Sequence, residues 1–218
     1  VIYLYAWTIV LVALLITVFI HELAHMLIAL ACGVKVEAFS IGFGKVLLHK
    51  KLWNIDFRLS LIPLGGYCRL KGEKSVVGST WLSHRYLKKL AIVLAGVTAN
   101  FLLAILLYYI CYGSITIGLK LDLNILKYIF TKNQEALKAL VYSMSLNPWI
   151  VQITIMNLFA AITNLIPLPP LDGSYPFTFL LEKVLKKNFR KVLKIINLIG
   201  FVLVMMIQVI LLYWILIV

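Results

Sequence analysis

The chain has 218 residues, of which 63% are hydrophobic and only 13% charged, with a mean hydropathy of +1.01. That composition excludes a water-soluble globule and points to an integral membrane protein. A formal charge of +13 would suit nucleic acid, but the basic residues lie in the connections between apolar stretches, so membrane topology and anionic lipid headgroups are the expected partners of that charge and nucleic acid is not.

In chain order, apolar stretches at about residues 2–30, 90–112, 149–171 and 195–218 are each long enough to span a bilayer. They predict one membrane domain over residues 1–218 with an all-α core of about four transmembrane helices. The first stretch has no basic amino-terminal region and carries ionisable residues, so it reads as a resident helix and not as a cleaved signal. Lys and Arg number 11 between residues 31 and 90, 4 between 113 and 148, and 6 between 173 and 195. Basic residues favour the cytoplasmic side, so the first and third connections are expected inside and both termini outside.

Between the first two helices, a small membrane-associated β region is expected at about residues 35–70. From Trp53 the chain alternates, with Trp53, Ile55, Phe57, Leu59 and Leu61 on one side and Asn54, Asp56, Arg58 and Ser60 on the other, which is strand periodicity. An edge of such a hairpin could accept an extended peptide as an added strand; an amphipathic hairpin lying on the headgroups has the same pattern. Further on, Lys183, Lys186, Lys187, Arg190, Lys191 and Lys194 within an apolar-periodic stretch predict an interfacial helix. Cys32, Cys68 and Cys111 have no metal-ligand spacing and read as buried free thiols. His49 and His84 read as solvated.

The chemistry is concentrated in His21-Glu-Leu-Ala-His25, at the end of the first apolar stretch. Positions i and i+4 share a helix face, so two imidazoles at this spacing can grip one Zn²⁺ while Glu22 acts on a water. Each ionisable group deep in a spanning helix costs on the order of 2.5 to 3.5 kcal/mol on insertion scales and persists mainly where it functions. A catalytic zinc takes three protein ligands, and Asp172 is the best candidate for the third. It follows three prolines in Asn164-Leu-Ile-Pro-Leu-Pro-Pro-Leu-Asp-Gly173, where broken backbone at membrane depth implies burial in protein or access to water. The expected topology brings both motifs to similar depth, near the cytoplasmic ends of the first and third helices.

These paired motifs resemble those of the site-2 protease family of intramembrane zinc metalloproteases. Gly33-Val-Lys-Val-Glu-Ala-Phe-Ser-Ile-Gly-Phe-Gly44, Leu61-Ile-Pro-Leu-Gly-Gly-Tyr67 and Ala95-Gly-Val-Thr-Ala-Asn-Phe101 are similar to the bacterial sigma-E regulator protease subgroup in particular. The resemblance implies one Zn²⁺ per chain held by His21, His25 and Asp172, with Glu22 as general base. It also implies cleavage of single-span transmembrane proteins near the cytoplasmic face of a bacterial inner membrane. Asn164 then looks like a clamp on the substrate backbone, Asn100 sits on a helix lining the same cavity, and the β element lies beside the site, making Phe57 and Leu59 candidate substrate contacts. Two departures stand out. Residues 113–148 are too few to hold the PDZ domain that the subgroup carries there, and Val97 stands where proline is common. Outside the resemblance, a membrane zinc carrier or channel, or an inactive relative that binds helices without cutting them, would also place these residues in a bilayer.

Overall fold

The computed structural model describes residues 2–71, 86–130, 148–178, 192–203 and 206. They form α1 (Ile2–Ala31), β1 (Val36–Leu52), β2 (Ile55–Leu70), α2 (Tyr86–Tyr112), α3 (Ile115–Phe130), α4 (Pro148–Asn164), a 3₁₀ turn at Asp172–Ser174 and α5 (Val192–Leu203). Two compact units result, Val1–Ala161 and Ile162–Val218. Among the described residues, two helices are long and apolar enough to cross a membrane, at Thr8–Ala31 and Tyr86–Tyr112. The apolar helices Trp149–Asn164 and Val192–Leu203 are shorter. Most of the expected interfacial helix, most of the last expected span and His84 lie outside the described residues.

No glycine or proline interrupts α1 over its 30 residues, so every interior backbone group can enter the helical ladder. The helix stops at Gly33, whose φ of +78° is open to glycine at little cost. Val34 N–H donates to Ala29 C=O at 2.9 Å and Gly33 N–H to Leu30 C=O at 3.0 Å, a Schellman motif that satisfies the terminal carbonyls. Val34 is buried beside it, so the same turn that ends the helix seats the start of the sheet.

Both strands bend through register shifts. Residues 38–41 of β1 are therefore paired twice, with 66–69 on one side and with 56–59 on the other, while 46–52 pairs back onto 55–60. Gly42 makes the fold of the sheet possible: its φ is +85°, and a Cβ there would lie 2.8 Å from the Ser60 carbonyl oxygen. Trp53 and Asn54, both at positive φ, form the two-residue hairpin turn. The expected strand thus begins at Ile55 and not at Trp53, which is 86% exposed at the tip. The alternation is also less regular than the sequence pattern suggests. Ser60 is buried, with Oγ 3.3 Å from Ser40 Oγ, while Leu59 and Leu61 are exposed. The bulges turn the strand, so its period-2 pattern does not map onto one buried face.

The sheet packs on α1 through Phe39, which meets Phe19 edge to face at 6.0 Å and Phe57 at 5.6 Å. Helix α2 packs along α1, and α3 packs on α2, where a Cβ at Gly118 would overlap the ring of the buried Tyr108. Asn157 of α4 is fully buried and donates from Nδ2 to Thr17 Oγ1 of α1 at 3.0 Å. Such amide bonds hold apolar helices together where no hydrophobic difference separates lipid from protein.

In the second unit, α4 ends at Asn164 and not at residue 171 as the apolar run suggests. Pro167, Pro169 and Pro170 have no N–H and disfavour helical geometry in the residue before each. The last turn tightens, with Leu165 N–H donating to Ile162 C=O and Ile166 N–H to Thr163 C=O. Gly173 lies so close to the Leu165 carbonyl that any Cβ there would overlap it, and Gly200 of α5 lies closer still to the Pro169 carbonyl. The proline segment is therefore folded back on itself and packed against α5.

Candidate metal site

His21 and His25 are one helical turn apart on α1, and both are buried. Their rings meet at 80°, with centroids 4.7 Å apart, and the two Nε2 atoms face each other at 3.1 Å. Two nitrogens each about 2.0–2.1 Å from one tetrahedral ion stand about 3.3 Å apart, so the pair has the separation that a shared cation requires.

Helix α2 presents a single stripe to this pair: Ile92, Gly96 and Asn100, spaced by four residues and so one above another. The Nδ1 of His25 donates to the Ile92 carbonyl at 2.7 Å. A carbonyl only accepts, so the ring proton is on Nδ1 and the Nε2 lone pair is left for a ligand. Gly96 lies directly over both rings, where a Cβ would stand 2.5 Å from His25 Nε2 and 2.6 Å from His21 Nε2. Asn100, at 0% exposure, has its side-chain amide 3.2 Å from His21 Nδ1. It is fully buried beside the histidine ring, on the helix that the sequence reading expects to line the site.

Glu22 follows His21 and is likewise buried. A Cβ at Gly66 of β2 would lie 2.8 Å from Glu22 Cγ and 2.6 Å from the Ser40 carbonyl. Gly66 of the Leu-Gly-Gly-Tyr segment thus lets the sheet backbone come up against the acid. This puts the β element beside the site, as the resemblance implies. Phe57 is half-buried against Phe39, and Leu59 is exposed on the same strand.

Outside the helices, Asp56 and Arg58 clamp the hairpin. Arg58 Nε donates to Asp56 Oδ2 at 2.7 Å and its Nη1 to the Tyr67 hydroxyl at 3.2 Å. The hydrogen bond from Arg58 holds the Asp56 carboxyl below its usual range. His49 is largely solvated, as its sequence context suggests, with Nδ1 3.5 Å from Asp56 Oδ1.

Asp172 and Asn164 belong to the second unit. Asp172 is half-buried at the first position of the 3₁₀ turn, and Asn164 is half-buried at the last residue of α4. Cys32, Cys68 and Cys111 form no disulfide, as expected, but each is half-buried where the sequence reading expects burial.

Sequence reasoning missed three contributors to the site. Ile92 acts through a backbone carbonyl, which no side-chain motif reports. Gly96 reads as a helix-packing residue until its distance to the imidazoles is known, and Gly66 enters the sequence reading only as part of a family motif. The one available signal was the spacing of Ile92, Gly96 and Asn100 along a single face of α2.

The chain matches Peptidase family M50 over residues 9–207 and belongs to that family. It is 50% identical over 99 residues to a Helicobacter pylori protein named "Putative zinc metalloprotease", covering 42% of this chain and 28% of that protein. It is 41% identical over 108 residues to "Protease RseP" of Yersinia pestis, covering 46% and 24% of the two chains. Against the "Regulator of sigma E protease" of Haemophilus influenzae it is 38% identical over 108 residues, covering the same shares. The matches thus span about a quarter of the length of these curated relatives.

Proposed function

We propose that the protein is an intramembrane zinc metalloendopeptidase that cuts single-span membrane proteins near the cytoplasmic face of a bacterial inner membrane. The observation that carries this reading is the pair of buried Nε2 atoms 3.1 Å apart, with His25 fixed from behind by the Ile92 carbonyl. The reading is supported by membership of Peptidase family M50 and by relatives whose names denote a zinc metalloprotease and a regulator of sigma E.

His21, His25 and Asp172 each offer one ligand atom, two imidazole nitrogens and a carboxylate oxygen, a donor set suited to one catalytic zinc. Bound zinc supplies the Lewis acidity that polarises a scissile carbonyl and brings the pKa of water toward neutrality. Glu22, adjacent to a ligand yet free of the ligand role, takes the proton from the attacking water and passes it to the departing amine. Glu22 lies against the sheet, so a substrate unwound into an extended strand would replace its lost helical hydrogen bonds there by strand addition. Leu59 and Phe57 would contact its side chains and Asn164 its backbone.

Four spanning helices with both termini outside complete the reading, motivated by the four apolar stretches and by the excess of basic residues in the first and third connections. The test is purification in detergent, measurement of bound zinc, and incubation with a panel of single-span substrates alongside Glu22→Gln. The expected result is about one zinc per chain in both proteins and cleavage by the wild type alone, with the variant slower by a factor of about 10² to 10⁴. A wild-type protein that holds no zinc and cuts none of the panel sinks the proposal.

A further inference from the structure

The geometry points to Asn100 as the positioning residue of His21, acting through Oδ1 as acceptor of the His21 Nδ1 proton. This rests on the reading above, in which Nε2 of His21 binds zinc. A neutral imidazole carries one ring proton, so ligation through Nε2 puts that proton on Nδ1. In a buried site the proton needs an acceptor. For His25 the acceptor is the Ile92 carbonyl at 2.7 Å. For His21 the group facing Nδ1 is the Asn100 amide at 3.2 Å, from two turns further along the same stripe of α2.

The two ends of a carboxamide have the same shape, so the hydrogen-bond network decides which one faces the ring. With the proton on His21 Nδ1, an Asn100 amide placed with Nδ2 toward the ring sets two donors against each other, and its Oδ1 is buried without a partner. Leaving a buried acceptor unmet in this way is unfavourable. A half-turn of the amide brings Oδ1 onto Nδ1–H and satisfies both groups. Helix α2 then carries two acceptors, a backbone carbonyl for His25 and a side-chain carbonyl for His21, which fix both rings in the same tautomer with both Nε2 atoms turned toward each other.

The test compares Asn100→Leu, which keeps the size and removes the acceptor, with Asn100→Asp, which keeps an acceptor at the same reach. Zinc affinity is read by chelator competition, and the His21 tautomer by ¹⁵N NMR of the full-length wild-type protein in detergent. The expected result is zinc binding 10- to 100-fold weaker in Asn100→Leu, as for other second partners of ligating histidines, affinity restored to within about threefold in Asn100→Asp, and the proton on Nδ1 in the wild type. Wild-type affinity in Asn100→Leu, or equal loss in both variants, overturns the assignment. A wild-type protein that binds no zinc overturns the ligand reading instead. The wild-type NMR then still judges Asn100, because a proton on His21 Nε2 overturns its role and one on Nδ1 sustains it.

Discussion

Gly96 shows how much of this site depends on what a residue lacks. Alanine is the better helix former by about 1 kcal/mol, so a glycine that served only helix packing on open terms would gain from the exchange. At Gly96, however, the added methyl would meet both histidine tips at 2.5 and 2.6 Å, forcing the rings apart. Gly96→Ala is therefore expected to keep its helix content by circular dichroism while its zinc affinity falls about tenfold or more. Unchanged zinc affinity would show that the rings do not bind the metal where they now stand. The two histidines and Glu22 were legible in the sequence because helical spacing alone puts i and i+4 on one face. Asn100 was named there as a neighbour of the cavity, but its approach to His21, like that of the Ile92 carbonyl to His25, was not legible, because the tertiary packing of α2 on α1 creates it and no local pattern encodes it.

Among the elements, the hairpin and α4 departed most from the sequence reading, and each for a physical reason. Alternation from Trp53 located the start of β2 to within two residues, but the register shifts redistribute its faces, burying Ser60 and exposing Leu59 and Leu61. Helix α4 ended early because prolines act on the residues before them. The hairpin clamp has a pH signature. Asp56 is held below its usual range chiefly by its bond from Arg58, so its contribution is complete at neutral pH and is lost as pH falls through that lowered value. Amide hydrogen exchange in residues 55–60 is expected to be slow and flat near neutrality and to quicken in strong acid, beyond the intrinsic pH dependence of exchange. Asp56→Asn should exchange faster at neutral pH and lose the acid step. On α4, Asn157→Leu removes the bond to Thr17, and unfolding in mixed micelles should register a loss of about 0.6 kcal/mol, up to about 1.7. A more stable variant would mean that the pair does not tie α4 to α1.

At the scale of the whole molecule, composition and charge distribution indicated a membrane protein before any element was placed, and two described helices meet the length and apolarity of a span. The histidine pair lies in the unit Val1–Ala161 and Asp172 in the unit Ile162–Val218. Under the proposed ligand set, removing zinc should raise hydrogen exchange in residues 162–178, and Asp172→Ala should do the same with zinc present. The most direct measurement is anomalous diffraction at the zinc edge from crystals of the zinc-loaded protein. The account predicts one peak, about 2.0–2.2 Å from His21 Nε2, His25 Nε2 and an Asp172 carboxylate oxygen. A peak bound by the histidines without Asp172, or no peak between them, would contradict it.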